Sequence, residues 1–304
     1  MNYIYRMKKT VAVIVNPISG TKKKEGIKRL IYEILDSDRL DVRVMTTLYA
    51  GHGAEIATAE RENKTDIVVA VGGDGTVNEV ARSLAGSDTA MAIVPCGSGN
   101  GLARHLHIPM DVRKAVSIIN KDLIERIDYG TINSHPFFCT CGVGFDASVT
   151  MDFSKKRTRG LLTYVETTLL DYFRYKPEVY TLTTDEEGEK QYKAFLVTVA
   201  NASQYGNNAY IAPRATMRDG LLDVVVLSPF KAYDVPMLAY RLFNKKMEGS
   251  QYVTHLRTKH LTIHREKSGS AHFDGEPLST GKDIDICVFP DQLKVIVPSE
   301  IQKI

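Results

Sequence analysis

Four strand candidates, each followed by a helical pattern, constrain the fold of this chain more than any other feature. They are VAVIV (11–15), DVRVMTT (41–47), IVVAV (67–71) and MAIV (91–94). The helical patterns lie at about 27–34, 54–61, 77–85 and from Leu102 onwards. Strands of continuous apolar character that alternate with helices are typical of a parallel sheet covered on both faces. The first half is therefore predicted to be a doubly wound α/β domain.

From about residue 127 the pattern changes to short strands joined by turns. The strand candidates are FFCTCGV, VYTLTT, AFLVTVA, LLDVVVL, HLTIHR, IDICVF and KVIVP. Helical patterns interrupt them at about 159–175 and 232–247. This composition favours an antiparallel β-sandwich. We expect an α/β domain at 1–128, joined by residues 292–304, and a β-sandwich domain at 129–291.

Composition limits the classes of partner and compartment. A length of 304 residues fits two domains, and 43% hydrophobic residues suffice for their cores. The formal net charge of +3 is too small to indicate a nucleic-acid partner. The four cysteines show no metal-binding spacing, which favours a reducing compartment. No apolar stretch reaches the roughly 18 residues of a spanning helix, and VAVIV is short for a leader, so a cytoplasmic location is expected.

Loops of small residues follow three of the strands: NPISG, GGDGT and PCGSGN. In a doubly wound sheet all three meet at the carboxyl edge, where ligands bind. Glycines let backbone N–H groups approach a ligand, and Thr76 with Glu79 is predicted to form a capping box for the next helix. A tight βα turn explains one such loop, whereas three converging loops favour a phosphate site at a helix N-terminus.

Asp74, inside the second loop, narrows the chemistry. The glycine pattern of dinucleotide-binding folds fails at Leu102, and GxxxxGK[ST] is absent. A carboxylate beside polyphosphate repels it unless Mg²⁺ or a proton in transit lies between them. Asp74 therefore indicates phosphoryl transfer rather than passive nucleotide binding.

The three motifs together resemble a known family. GGDGTVNEV (72–80), preceded by NPISG and followed by PCGSGNGLAR, is similar to the diacylglycerol kinase catalytic domain of bacterial soluble lipid kinases, relatives of diacylglycerol and sphingosine kinases. The resemblance covers nearly the whole chain and implies an ATP- and Mg²⁺-dependent lipid kinase, with ATP in the cleft between the domains. The nucleotide contacts that it implies are Asn16, Pro17, Ile18, Ser19, Gly20, Thr47, Gly72, Gly73, Asp74, Gly75, Thr76, Val77, Asn78 and Ser98.

In the second domain the resemblance implies a base and a metal site. AHFDGEPL (271–278) carries the family's DGE turn, so Asp274 or Glu276 would take the proton of the lipid hydroxyl. Sphingosine kinases assign that role to the loop aspartate, here Asp74, and the choice stays open. RATMRDGLLDV resembles a structural Mg²⁺ segment whose ligands would be the Asp219 carboxylate and the carbonyls of Thr216 and Leu221. The alternative for Asp219-Gly220 and for the DGE turn is plain turn chemistry.

Two further stretches concern the acceptor. Residues 155–176 form a helical pattern with an apolar face and cations at both ends, which suits domain core or lipid contact. Asp146 in GVGFDASV stands where sphingosine kinases hold the amino group of their substrate. The expected acceptor is a diacylglycerol-like or sphingoid lipid, reached through transient contact with the inner membrane surface, and a homodimer is compatible with this. The rivals are a soluble kinase of the NAD-kinase type and a non-catalytic nucleotide or lipid sensor.

Overall fold

The computed structural model describes residues 8–18, 25–154 and 175–298. The chain divides into two compact units, Met1–Ile127 with Gln292–Ile304, and Asp128–Asp291. The helical pattern predicted at 155–176 lies almost wholly outside the described residues. Within the described part of the chain, no helix is long and apolar enough to cross a membrane.

The first unit is built on a parallel sheet in the order β2-β1-β3-β4. Its strands are β1 (Lys9–Val15), β2 (Leu40–Thr46), β3 (Ile67–Gly72) and β4 (Ala90–Pro95). Its helices are α1 (Glu25–Ile34), α2 (His52–Glu62), α3 (Asp74–Leu84), α4 (Gly101–His105) and α5 (Val112–Ser117). Every residue of β3 and β4 is buried, as expected for strands covered on both faces. The predicted doubly wound domain is confirmed.

The register brings the carboxyl ends of these strands level. Val15 of β1 lies opposite Thr46 of β2 and Val71 of β3, and Gly72 lies opposite Pro95 of β4. The loops that follow the four strands therefore begin along one edge of the sheet. Strand order reverses at β1, which makes this edge the place where doubly wound folds bind ligands.

The second unit is an antiparallel β-sandwich, as predicted. Its strands are β5 (Ile124–Ile132), β6 (His135–Phe137), β7 (Thr140–Gly144), β8 (Glu178–Thr184), β9 (Gly188–Ala194), β10 (Leu196–Ala200), β11 (Leu222–Leu227), β12 (Val253–Thr258), β13 (His260–Arg265), β14 (Gly269–Phe273), β15 (Glu276–Thr280) and β16 (Asp283–Ile296). One sheet has the order β12-β11-β10-β7-β14-β15, and the other pairs β16, β13, β8 and β9. Strands β5 and β16 each begin in one unit and end in the other.

Buried side chains from both sheets form the core of the sandwich. Val197 and Val224 of the first sheet belong to one apolar cluster with Leu261 and Ile284 of the second. Alternate residues of the first sheet, such as Val225, point to the other side. There they pack with α6 (Phe145–Ser154) and α7 (Val235–Phe243) in a second cluster.

Three local predictions for this unit are wrong. Residues 145–154 form α6, although no helix was predicted there. FFCTCGV contains parts of two strands, β6 and β7, because the chain breaks at Phe138 and Cys139, whose N–H groups bind a carboxylate described below. IDICVF and the first three residues of KVIVP belong to a single strand, β16.

Candidate active site

The glycine loop after β3 leads directly into α3. Gly73 is the N-cap residue and Asp74 the first helical residue, so the helix begins three residues before the predicted position. The N-cap residue is a glycine and supplies no side-chain cap to the first turn of α3. The leading N–H groups of a helix and the positive end of its dipole attract phosphate.

The predicted capping box is wrong because both of its side chains bind elsewhere. The Thr76 hydroxyl accepts a hydrogen bond of 2.9 Å from the Asn16 side-chain amide in the first loop. The Glu79 carboxylate accepts from the N–H groups of Gly51 and Gly53, at 2.9 and 3.1 Å, at the start of α2. Thr76 thus connects α3 to the loop after β1, and Glu79 connects α3 to the loop after β2. Glu79 is a site residue that the sequence did not reveal, because its partners lie 26 and 28 residues away.

Asp74 joins the second loop to the third. One carboxylate oxygen accepts from the N–H of Asn100 at 2.8 Å, and the other from the N–H of Gly101 at 2.7 Å. A Cβ at Gly99 would lie 2.7 Å from the nearer carboxylate oxygen. A side chain at position 99 would therefore push against the Asp74 carboxylate, which holds the loop that enters α4.

The third loop is closed around Asn100. This residue takes the left-handed conformation, with φ of 51°, and its side chain bonds the Gly97 N–H at 2.9 Å and the Gly97 carbonyl at 2.8 Å. A Cβ at Gly97 would lie 2.7 Å from the Cα of Gly73, so two glycine backbones touch here. Ser98 lies at the exposed tip of this loop. Asn100 was not among the predicted site residues. The sequence feature that could have indicated it is an asparagine directly after a glycine, because asparagine tolerates positive φ.

The remaining residues that were predicted to contact a nucleotide differ in how far they are buried. Asn16 continues β1 through a bond from its N–H to the Val71 carbonyl, and its side-chain oxygen accepts from the N–H of Ile18. Pro17, Ile18 and Gly75 are exposed, and Gly73 and Asp74 are partly exposed. Those that are buried are Thr47, Gly72, Thr76, Val77 and Asn78. Ser19 and Gly20 lie outside the described residues. The structure brings Asn16, Asp74 and Thr76 together with Asn100 in one hydrogen-bonded cradle.

In the second unit, Asp274 and Gly275 form the two-residue loop of the β14–β15 hairpin. Both have positive φ, 49° and 78°, the conformation for which Asp-Gly is favoured. The Asp274 carboxylate accepts from the N–H groups of Phe138, Cys139 and Thr140 at 2.7 to 3.0 Å. Asp274 therefore ties this turn to the start of β7. Glu276, the first residue of β15, is partly exposed.

Asp146 lies in a buried polar cluster at the start of α6. Its carboxylate accepts from the Thr198 hydroxyl at 2.8 Å and is 3.1 Å from Nε2 of His272; the Tyr205 hydroxyl lies 3.3 Å away. Nδ1 of His272 is buried and has no hydrogen-bond partner among the described residues. His272 thus faces the Asp146 carboxylate with Nε2.

The segment predicted to hold Mg²⁺ lies beside two further carboxylates. Asp219 accepts from the N–H of Leu221 at 3.1 Å and pairs with Arg257, and it shares a pocket with Asp128 and Asp291. Asp128 is buried and accepts from the N–H groups of Gly220 and Asp291, at 2.8 and 2.9 Å. Burial raises its pKa, and the carboxylates of Asp291 and Asp219 raise it further.

The carboxylates of Asp128, Asp219 and Asp291 line this pocket together with two cations, Arg218 and Lys259. Carboxylate and backbone carbonyl oxygens are the usual ligands of Mg²⁺. Burial is the main cause of the raised pKa of Asp128, and Arg257 is already paired with Asp219. Thr216 and Leu221 are not among the residues that line the pocket, so a structural Mg²⁺ held by Asp219 and these two carbonyls stays a prediction.

Comparison with known proteins identifies both halves of the chain. Residues 10–132 match the family model of the diacylglycerol kinase catalytic domain, and residues 139–297 match the YegS C-terminal NAD kinase beta sandwich-like domain. A "Probable lipid kinase YegS-like" of Chromohalobacter salexigens is 30% identical over 241 residues, 77% of each chain. A diacylglycerol kinase of Bacillus subtilis is 26% identical over 277 residues, 88% of this chain and 90% of that protein.

A solved diacylglycerol kinase structure from Bacillus anthracis shares the fold. Its TM-score is 0.74 at 21% identity, with 96% of this chain and 97% of that one covered. The sequence motifs, the two-unit architecture and these matches agree over nearly the full length. The chain thus belongs to the family of diacylglycerol kinases and YegS-like lipid kinases, and it is a lipid kinase.

Proposed function

We propose that this kinase transfers the γ-phosphate of ATP to a hydroxyl group of a lipid and depends on Mg²⁺. The observation that carries the proposal is the uncapped first turn of α3, held among three glycine loops by Asp74 and Thr76. Backbone N–H groups fixed in this way bind phosphate without having to reorganise. Bound Mg²⁺ would supply neutralisation of the charge on the phosphates.

The transfer needs a base as well as a phosphate cradle. The lipid oxygen forms a bond to the γ-phosphorus, the bond from that phosphorus to the bridging oxygen of ADP breaks, and the hydroxyl proton passes to a carboxylate. Of the three predicted carboxylates, we propose Glu276, which is partly exposed at the first position of β15, next to the Asp-Gly turn. Asp74 and Asp274 already accept two and three backbone hydrogen bonds, which supports anchoring roles for them.

We further propose that the acceptor headgroup is neutral, as in a diacylglycerol, rather than the ammonium of a sphingoid base. The support comes from Asp146, whose carboxylate is engaged by Thr198 and His272 inside the protein. A substrate ammonium would have to displace these donors. Because the acceptor is a lipid, the kinase would make transient contact with the cytoplasmic face of a membrane, where ATP is available.

The decisive experiment supplies purified protein with labelled ATP and a panel of acceptors, followed by mass spectrometry of the product. The panel contains a diacylglycerol, a monoacylglycerol, sphingosine and NAD. We expect phosphorylation of the neutral glycerolipids, dependence on Mg²⁺, and loss of product in Asp74→Asn. Preferential phosphorylation of NAD would overturn the lipid assignment and support the soluble-kinase rival.

The Asp146→Asn variant tests the headgroup class separately. If the acceptor is neutral, the substitution should alter turnover of diacylglycerol and sphingosine by similar factors, because neither depends on the charge of Asp146. A loss of at least about tenfold confined to sphingosine would show that the carboxylate binds an ammonium after all. The melting temperature of the variant shows whether the buried cluster still folds.

A further inference from the structure

Four large apolar side chains are exposed together on α7 and the turn before it. Tyr233, Met237, Tyr240 and Phe243 are 73%, 56%, 52% and 53% exposed. Their spacing of four, three and three residues places them along one side of a helix. Single exposed apolar residues are ordinary, whereas a contiguous row of this kind marks an interaction surface. We call these four residues the α7 face.

The α7 face is presented by a firmly packed element. Leu238, on the opposite side of the helix, is buried in the same apolar cluster as Phe145 and Met247, and Leu242 packs against that cluster. Pro236 stands in the first turn, where its fixed φ suits a helix start. The exposure of the four side chains is therefore a property of the folded helix.

Three lysines and one carboxylate, Asp234, flank the α7 face. Lys231, Lys245 and Lys246 are exposed, and Lys231 and Lys246 lie over the rings of Tyr233 and Tyr240 at 5.6 and 5.5 Å. Within residues 231–247, all of which the structure describes, the one carboxylate is Asp234. It accepts from the Tyr252 hydroxyl at 2.9 Å and from the Lys231 N–H at 3.2 Å. The surface thus combines an apolar row with an excess of positive over negative charge.

We propose that the α7 face docks this kinase onto an anionic lipid bilayer. Tyrosine, methionine and phenylalanine side chains suit the boundary between headgroups and acyl chains, and flanking lysines bind lipid phosphates. The inference rests on the proposed function, because a membrane supplies a lipid acceptor. A second copy of this chain is a poorer occupant, since a two-fold contact through this face would bring like-charged lysines together.

Vesicle sedimentation without ATP or acceptor tests this surface independently of catalysis. The vesicles contain phosphatidylcholine alone or with about one-third phosphatidylglycerol. The test variants are the triple Met237→Ser/Tyr240→Ser/Phe243→Ser and the double Lys245→Glu/Lys246→Glu. We expect each to reduce partitioning onto the anionic vesicles at least about tenfold. Because the altered side chains are exposed, the melting temperatures should stay close to that of the wild type.

Two controls make the result specific. Tyr32→Ser/Val179→Ser removes equally exposed apolar groups elsewhere, and Lys267→Glu/Lys282→Glu removes exposed charge elsewhere in the second unit; both should bind vesicles like the wild type. With acceptor embedded in vesicles, the α7 variants should lose activity in proportion to binding. With a short-chain acceptor dissolved in water they should keep it.

The outcomes separate this inference from the proposed function. Vesicle binding that is unchanged in both α7 variants would overturn the docking surface. So would light scattering that finds a wild-type dimer converted to monomer by the triple variant, because a second copy would then cover the face. If binding depends on the α7 face but no lipid is phosphorylated, the proposed function fails while the docking surface stands.

Discussion

At the scale of single residues, Asp74 connects two loops that come from different strands. Its carboxylate accepts from Asn100 and Gly101, while its own backbone begins α3. The same side chain was predicted from sequence to organise Mg²⁺ or a proton. Both roles meet at one position, because a carboxylate that joins two glycine loops also lies beside any ligand that those loops bind.

Replacement of Asp74 by asparagine should reduce turnover at least about a hundredfold, because the charge is lost and an amide NH₂ meets a backbone N–H. The fold should survive. The matched control is Asp66→Asn at the opposite edge of the same sheet, where Asp66 accepts two bonds of 2.8 Å from Thr10. Steady-state kinetics and thermal melting of both variants provide the check. Near-normal turnover of Asp74→Asn would remove Asp74 from the mechanism.

Gly97 allows a direct contact between the second and third loops. In Gly97→Ala the new Cβ would lie 2.7 Å from the Cα of Gly73, so one loop must move. A displacement of about 1 Å in such a site can cost roughly a hundredfold in rate. We therefore expect both a higher KM for ATP and a lower kcat. Gly26→Ala in α1, where the new Cβ meets nothing within 4 Å, is the control and should remain active.

At the scale of elements, the sequence predicted the four parallel strands to within one or two residues at each end. Continuous burial on both faces requires β-branched and small apolar runs, and these are visible without knowledge of the fold. The start of α3 was predicted three residues late. A Thr-x-x-Glu pattern indicates a capping box locally, but Thr76 and Glu79 bind Asn16, Gly51 and Gly53 instead. These partners are distant in sequence, so local pattern could not reveal them.

The same limit applies in the second unit. The break between β6 and β7 depends on Asp274, more than 130 residues further along the chain. Helix α6 was not predicted because Gly142 and Gly144 directly precede it, and glycines are typical of turns rather than of a helix start. The carboxylates beside Asp219 were missed for a similar reason, since Asp128 and Asp291 come together only when the sandwich closes.

Two carboxylates at the β14–β15 turn are expected to have different roles, Asp274 in anchoring the turn and Glu276 in the reaction. Asp274→Asn should lower the melting temperature by roughly 5 °C, because an amide cannot replace a carboxylate that accepts from three N–H groups. Glu276→Gln should leave the melting temperature nearly unchanged and lower kcat about a hundredfold, with ATP affinity within a few-fold. Calorimetry and kinetics on both variants distinguish the roles. An active Glu276→Gln would return the base to Asp274 or Asp74.

At the scale of the whole molecule, the pocket that Asp128 shares with Asp219 makes stability depend on pH. The pKa of Asp128 is raised above its ordinary value of 3.8. The native state therefore holds this proton more tightly than the unfolded chain does. Its contribution to stability falls as pH rises from the ordinary value through the raised one. A bound divalent cation would offset that loss at neutral pH.

A chelator should accordingly lower the melting temperature of the wild type at pH 7 and leave Asp219→Ala unaffected. The difference should shrink as the pH is lowered into the titration range of Asp128, where a proton replaces the cation. Asp283→Ala, an exposed carboxylate of the same unit, should respond to the chelator like the wild type. If the wild type and Asp219→Ala respond equally to the chelator, Asp219 and Gly220 form a plain turn that holds no cation.

The hydrogen bond between Asp291 and Asp128 joins the last residue of the second unit to its first. The β-sandwich unit is therefore an insertion whose two ends lie side by side. The chain segments before and after it together form the α/β unit. Insertion of a compact unit is tolerated where its two ends lie close together. We therefore expect that residues 128–291 can be replaced as one segment while the chain on either side still completes the α/β unit.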